Sequence, residues 1–584
     1  MQDDKMPADS YDVAILGGGL AGLTLGLQLK QARPETSVFM AEKRDGPAPT
    51  AAFKVGESTQ EVSCHYFAEV LGQKEHIDNE QIHKCGLRFW FPAGDNSDLA
   101  QRVERGPKKH PPVPSYQLDR GIFENHLAGE VEKAGVDRFD ATRIKDVEFG
   151  DDAHTVTITD REGNDARTIK ARWVVDATGR AFTLKKKLDL LEDNGHVVNA
   201  SWLRLAGGID LEDWADPDDA EFMDRMEERG LRMMSTNHIC GEGYWVWMIP
   251  LSSGAISVGI VADPRFHPWE EMNTLDAAID WIKEHEPQLG ADIDGRRDQI
   301  EDFLKVEDFS YGCKQAFDGR DRWCLVGEAG AFLDPFYSPG SDYIAMSNTY
   351  TSDLITRELD GEDVAERAEA HNDLYLNTYK VHLTFYEQQY EFWHNPLVMN
   401  VKIGANNILY WGTLGLLFFH DKYTDVDFMA DVRPDLERIW GVTRAQEAMY
   451  REWNAIESEE WRRAMVPTSA FPAMFERHTD MVAGYDDETL KQKIASTADL
   501  LEAYGVLAFH RACAGLPDGA PDEDQKINPY VVSLKPDQWE ADGLFNGDGM
   551  SLAEARKSPA GDMENLYMDE IATAALGKDS FVLP

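Results

Sequence analysis

Residues 13–16 form an apolar run that breaks at Gly17-x-Gly19-x-x-Gly22 and resumes as an apolar helical stretch over residues 23–29. A second apolar run, residues 38–41, stops on the acidic Glu42. Strand, glycine turn, helix, strand and acid in this order predict a dinucleotide-binding βαβ unit. Gly17, Gly19 and Gly22 let the backbone turn tightly. Together with Leu20 and Ala21 they open a helix whose positive N-terminus attracts a pyrophosphate. The carboxylate of Glu42 is spaced to accept hydrogen bonds from a ribose diol.

Downstream, Gly56-Glu57-Ser58 reads as a loop entering an amphipathic stretch, residues 61–71. Residues 82–91 end in a strand-like aromatic run, and the Gly-, Pro- and charge-rich residues 94–114 predict a surface loop. Arg120 stands at a strand-to-helix junction, placed either for a phosphate or flavin or simply for solvent. Residues 155–159 and 173–175 read as strands, the second ending in the tight turn Asp176-Ala-Thr-Gly179. Between 197 and 263 the pattern becomes antiparallel β, clearest as a hairpin of residues 244–250 and 255–261. A buried strand at 323–327 then leads through Glu328, Asp334, Pro339 and Gly340 into a helix from about 342. Beyond 360 the pattern is mostly helical and rich in Trp and Tyr, and no repeats occur.

This order predicts an α/β fold: a Rossmann-like nucleotide domain over 8–190 and 300–360, interrupted by an antiparallel β domain over 191–299. A helical C-terminal region, 361–584, ends in a loosely ordered tail from about 515. The length of 584 residues exceeds one core and fits several such units.

Charge removes whole classes of function. With 58 basic against 105 acidic residues the formal charge is −47, which repels phosphate backbones and anionic lipid, so no nucleic-acid partner is expected. Such a surface also suits a saline environment. The six cysteines are scattered without metal-ligand spacing and predict reduced core residues of a cytoplasmic protein. No apolar run reaches the length of a membrane span; the nearest, residues 408–420, carries two glycines and reads as a buried helix.

A strand-turn segment rejoining the first domain some three hundred residues on suits an extended FAD better than a nicotinamide coenzyme, because the flavin lies far from the pyrophosphate. A helix opening near Gly340 would point its positive end at the isoalloxazine. Gly17–Gly22, Ala177-Thr-Gly179 and the segment from Gly327 to Gly340 resemble the three FAD fingerprints of the flavoprotein monooxygenase superfamily. One departure is Glu328, where relatives commonly carry Asp at the ribityl contact, a role that Asp334 could take. Trp245-Val-Trp-Met-Ile-Pro250 resembles the W-x-W-x-I-P signature of flavin-dependent halogenases at every fixed position. Trp245 and Trp247 share one face of a strand and would form an apolar wall, or fill a sheet core.

That resemblance implies an enzyme using reduced FAD from a separate flavin reductase, oxygen, and chloride or bromide. In the family the hypohalous acid so formed travels through a tunnel to a separate substrate pocket, and a lysine in the tunnel holds or activates it. The loosely matching position here is Lys84. Tryptophan-type members carry a glutamate where this chain has Tyr337, which argues against free tryptophan and leaves the phenol- or pyrrole-type members, acting on free or carrier-tethered rings, as the nearer resemblance. The aromatic segments 385–393 and 408–412 resemble the helical lid of those members. The halide in relatives is bound by two successive backbone N–H groups, here Pro339 and Gly340, and proline has none. The competing expectation is therefore an FAD monooxygenase or dehydrogenase of the same fold that has lost halide binding. A non-catalytic flavin-binding protein is the third.

Overall fold

The computed structural model describes residues 6–50, 55–457, 462–469, 471–517, 519–547 and 549–563. Its first sheet is parallel at its centre, ordered Phe317–Asp318, Trp323–Leu325, Arg167–Asp176, Ser10–Leu16, Val38–Ala41 and Asp137–Phe139. The central strands are buried on both faces and therefore carry unbroken apolar runs. Val13 pairs with Trp173 on one side and Val38 on the other, so the three carboxyl ends, at Leu16, Ala41 and Asp176, stand level. Gly17 N donates to Ala41 O (3.0 Å), Ala177 N to Leu16 O (2.8 Å) and Val326 N to Asp176 O (3.0 Å), which gathers all three turns at one edge. The helix Gly340–Leu359 packs on the helix Leu20–Ala32, and Asn348 Nδ2 reaches Ala21 O (3.1 Å) and Thr24 Oγ1 (2.9 Å) across the contact.

The second sheet is ordered Ile300–Val306, Asn199–Ala206, Ala255–Ala262, Tyr244–Pro250, Thr236–Gly241, Leu87–Phe91, Val103–Gly106 and Met465–Pro467. It reaches beyond the stretch 191–299 expected to form it: Ile300–Val306 adds one edge, and three strands distant in sequence complete the other. Residues 94–114, expected as a surface loop, instead supply the buried strand Val103–Gly106 and a short 3₁₀ turn, Leu99–Gln101. Their charge misled. Glu104 is fully buried among Arg88, Arg225 and Arg232, which satisfy its carboxylate and overcome the cost of burial, holding it down at about 2.

Within the strand Tyr244–Pro250 the two faces separate cleanly. Trp245 and Trp247 join the core shared with the nucleotide domain and the C-terminal helices. Val246 and Met248 join a second core built against the helices Leu275–His285 and Pro287–Asp294. C-terminal to the sheets, Ala365–Leu383, Pro396–Leu409, Val426–Asn454 and Asp487–Cys513 form the helical region. Residues 410–419 continue the helix Pro396–Leu409 through a π-helical turn and are mostly buried, as the pattern of 408–420 implied. Part of the tail from 515 is described and carries two short helices, Trp539–Asp542 and Leu552–Ala555, while residues 564–584 lie outside the described residues. All six cysteines are buried and unpaired. No described helix is long and apolar enough to cross a membrane, and the described residues hold no metal-ligand cluster.

Candidate functional site

Two cavities meet at the N-terminus of the helix Gly340–Leu359. The larger, about 930 Å³, runs from the glycine turn past Glu42, Arg120 and Gly179 to Trp245, Trp247 and Gly340. The smaller, about 500 Å³, lies under the C-terminal helices. Pro339 and Tyr343 line both.

The larger cavity has the form a dinucleotide requires. Gly17 sits at φ 115°, and a Cβ there would lie 2.4 Å from Ala177 O, so only glycine closes this turn. Gly19 caps the helix Leu20–Ala32 without any side-chain cap and with nothing within 4 Å of its Cβ position. This leaves the terminal N–H groups facing the cavity for an anion. Glu42 accepts from Gly18 N (3.1 Å) and Arg44 N (2.8 Å), which fixes its carboxylate at the strand end. Gly179 takes φ 58° and lines the far wall with Ala177 and Thr178. These residues fit an FAD laid across the sheet.

The other expected contacts resolve less simply. Arg120 lines the cavity, yet its guanidinium donates to Val55 O (2.7 Å) and Glu124 Oε1 (2.7 Å), bracing the loop 55–58. Gly56 turns at φ 85° beside it. Glu57 points into a buried ion pair with Arg204 (2.6 Å), which also binds Asp302. Glu328 faces Arg180 at 3.6 Å. Asp334 has a committed carboxylate, which accepts from His196 Nε2 (3.1 Å), Tyr390 Oη and Phe336 N (3.0 Å). Trp245 and Trp247 form one wall with ring centres 5.8 Å apart. Each indole is anchored, Trp245 Nε1 to Tyr390 Oη (3.1 Å) and Trp247 Nε1 to Ser257 Oγ (3.1 Å).

Lys84 is fully buried and lines neither cavity, but its neighbours line both. Its Nζ donates to Ser58 Oγ (2.9 Å) and Thr59 O (2.6 Å). Ser58 lines the larger cavity and accepts from Ser338 Oγ (2.9 Å), one residue before Pro339. On the other side Glu61 and Asp342 line the smaller cavity and act on Lys84 through charge. Burial pushes the Lys84 ammonium down to about 7, against the pull of Glu61 and Asp342. Pro339 is the N-cap of the helix Gly340–Leu359, which also lacks a side-chain cap, and Gly340 and Ser341 line the larger cavity beside it.

The sequence reading missed the polar groups of the smaller cavity. Asp342 Oδ1 accepts from Ser63 N (2.9 Å) and Oδ2 from Tyr410 Oη (2.7 Å). Burial pushes its carboxyl up to about 7. Glu61 Oε1 bonds His478 Nε2 (3.2 Å); burial opposes its ionisation, but the bond and charge of His478 prevail and hold Glu61 below the usual range. His238 was also missed. Its Nδ1 lies 3.3 Å from Arg88 O and 3.1 Å from Thr236 O, and burial, then the Lys84 charge, pushes it down to about 3. Only Asp342, two residues past the glycine that opens its helix, carried a local signal.

Comparison with known proteins follows the same lines. Residues 10–257 match a family model described as FAD binding domain. A flavin-dependent halogenase of Dictyostelium discoideum is 28% identical over 395 residues, 62% of this chain and 63% of that protein. The chain thus spans under two thirds of that relative's length. A 1H-pyrrole-2-carbonyl-(peptidyl-carrier protein) chlorinase of Pseudomonas fluorescens is 25% identical over 391 residues, 63% of this chain and 80% of that one. Among solved structures, halogenase PltM in complex with phloroglucinol and FAD shares the fold at TM-score 0.58 and 16% identity, covering 85% of this chain and 96% of that one. A flavoprotein/dehydrogenase from Cytophaga hutchinsonii shares it at TM-score 0.53 and 20% identity, covering 67% and 88%.

Proposed function

We propose that this chain, which belongs to the flavin-dependent halogenase family and is an FAD-dependent enzyme, halogenates an electron-rich hydroxyarene or pyrrole-like ring, free or carrier-tethered. The observation that carries this reading is Lys84, an amine with a depressed pKa buried between a dinucleotide cavity and a separate aromatic-lined cavity. Reduced FAD, delivered by a separate flavin reductase, supplies the electrons with which oxygen converts halide to hypohalous acid.

The chain's residues account for the rest. Trp245, Trp247 and Phe336 close the flavin side with a dry wall that keeps an aromatic substrate in the smaller cavity. Gly340 and Ser341, at an uncapped helix N-terminus, offer N–H groups to a halide in place of the donor that Pro339 lacks. Lys84, neutral in a large fraction near pH 7, meets hypohalous acid between the cavities. Either it hydrogen-bonds the oxidant, or its nitrogen takes the halogen while the O–X bond breaks and the departing hydroxide leaves with the amine proton as water. The substrate cavity is walled by Phe89, Tyr337, Phe385 and Trp411 and opens past Lys109 and Glu227, paired at 3.0 Å. Two relatives named above are described with a pyrrole on a peptidyl carrier and with phloroglucinol, which supports this substrate class.

Pro339 favours one second reading, an FAD monooxygenase without halide chemistry. Chemically reduced FAD, oxygen, bromide and a panel of hydroxyarenes decide between them by product mass. Halogenated product is expected, with a loss of at least about 100-fold in Lys84→Met while FAD binding persists. Products that gain one oxygen and no halogen overturn the halogenase reading.

A further inference from the structure

The smaller cavity is apolar over most of its wall but carries a cluster of titratable groups at the end nearest Lys84. Asp342 is central to it. It stands in the first turn of the helix Gly340–Leu359, where the helix dipole supports a carboxylate. Each of its oxygens accepts one bond, from Ser63 N at 2.9 Å and Tyr410 Oη at 2.7 Å. A carboxylate has about four lone-pair sites, so each oxygen can still accept from a donor in the cavity. The groups facing it are Glu61 and Ser63 of the helix Glu61–His65, Lys84, Tyr343 of its own helix, and Tyr410 and Tyr423 from the C-terminal region. His478, from the helix Pro472–Asp480, is engaged by Glu61. Glu61 is thereby held as an anion, whereas among the described residues no cation bonds Asp342 directly.

Resting on the halogenase reading, we propose that Asp342 is the catalytic base of the smaller cavity, taking the proton of a substrate ring hydroxyl as the carbon–halogen bond forms. The hydroxyl proton passes to the Asp342 carboxylate while the ring carbon bonds the halogen of hypohalous acid. The halogen–oxygen bond breaks with its electron pair on the departing hydroxide. The ring C–H proton then neutralises that hydroxide as water, aromaticity returns, and the ring oxygen recovers its proton from Asp342. Hypohalous acid and hydroxyarene go in; haloarene and water come out, with the carboxylate restored. Asp342 acts on Lys84 through charge, so a proton gained by the carboxyl weakens the hold of Lys84 on its own. The assignment selects substrates with a free hydroxyl beside the reacting carbon.

The test is steady-state halogenation of a hydroxyarene and its methyl ether across pH, by wild type, Asp342→Asn and Tyr410→Phe, with FAD affinity as the check of folding. Wild type should favour the hydroxyarene strongly. In Asp342→Asn that preference should collapse towards one through a fall in kcat of about 100-fold, with KM little changed. The rising limb of kcat should move to lower pH in Asp342→Asn, because Lys84 loses an anion that raises its pKa. It should move to higher pH in Tyr410→Phe, because Asp342 loses a bond that stabilises its anion. Retained preference and an unmoved limb in Asp342→Asn overturn the assignment; if that variant fails to bind FAD, an unmoved limb in Tyr410→Phe does so. Both outcomes presuppose halogenated products from wild type, whose absence from every hydroxyarene tested overturns the halogenase reading itself.

Discussion

Lys84 gives up bulk water for two acceptors, Ser58 Oγ and Thr59 O, and its ordinary pKa of 10.5 falls to about 7. A lysine depressed on folding binds its proton more tightly in the unfolded chain. Between about 7 and 10.5 the unfolded state therefore holds more protons, and wild-type stability rises with pH across that window. At pH 7 nearly the whole penalty is present, on the order of 3–5 kcal/mol. Lys84→Met keeps the length of the side chain and removes the charge. It should gain stability at pH 7 and lose the pH slope in chemical denaturation, even as it loses halogenation. A variant less stable than wild type at pH 7 would mean that Ser58, Thr59 and the neighbouring carboxylates need the ammonium more than the fold resents burying it. Activity and stability conflict at this residue, as they often do where a site requires a perturbed group.

The strand Tyr244–Pro250 presents Trp247 to the flavin cavity, and Gly259 on the paired strand leaves room for its ring. A Cβ at Gly259 would lie 2.2 Å from that ring. Gly259→Ala must therefore push the indole, costing about 1–3 kcal/mol in guanidinium unfolding. It should also weaken FAD binding, read by quenching of flavin fluorescence; unchanged values in both would show that the wall yields. Strand and hairpin were legible because two apolar, β-rich runs and the turn at 251–254 are local signals, and the glycine unit likewise carries its own signature. What stayed hidden is pairing between distant segments. Val103–Gly106 carried charges that only Arg88, Arg225 and Arg232 explain. Asp334 offered itself as a ribityl contact until His196 and Tyr390 claimed its carboxylate, and Glu57 turned to Arg204. Asp342, Tyr410 and His478 come from three separate helical segments, and no spacing in the chain announces their meeting.

Over the whole molecule, 105 acidic residues against 58 basic leave 47 carboxylates without a cationic counterpart. Surface pairs such as Arg438 with Asp499 and Glu502 offset some repulsion locally, but exposed pairs are each worth about 1 kcal/mol or less. Salt weakens those pairs and the net repulsion together, and the excess of one sign decides the outcome: the folded state, being the more compact, gains. Screening shortens from about 10 Å at 0.1 M to about 3 Å at 1 M, so the gain should continue through that range. We expect Tm to climb steadily with potassium acetate between these concentrations. Potassium chloride at matched ionic strength separates a second effect, because halide bound only by the folded protein adds stability by mass action. A shared rise reports screening, and an additional rise in chloride that plateaus reports an anion held at the uncapped turn of Gly340 and Ser341. A Tm indifferent to both salts would mean that the carboxylates are spaced widely enough for water alone to keep them apart.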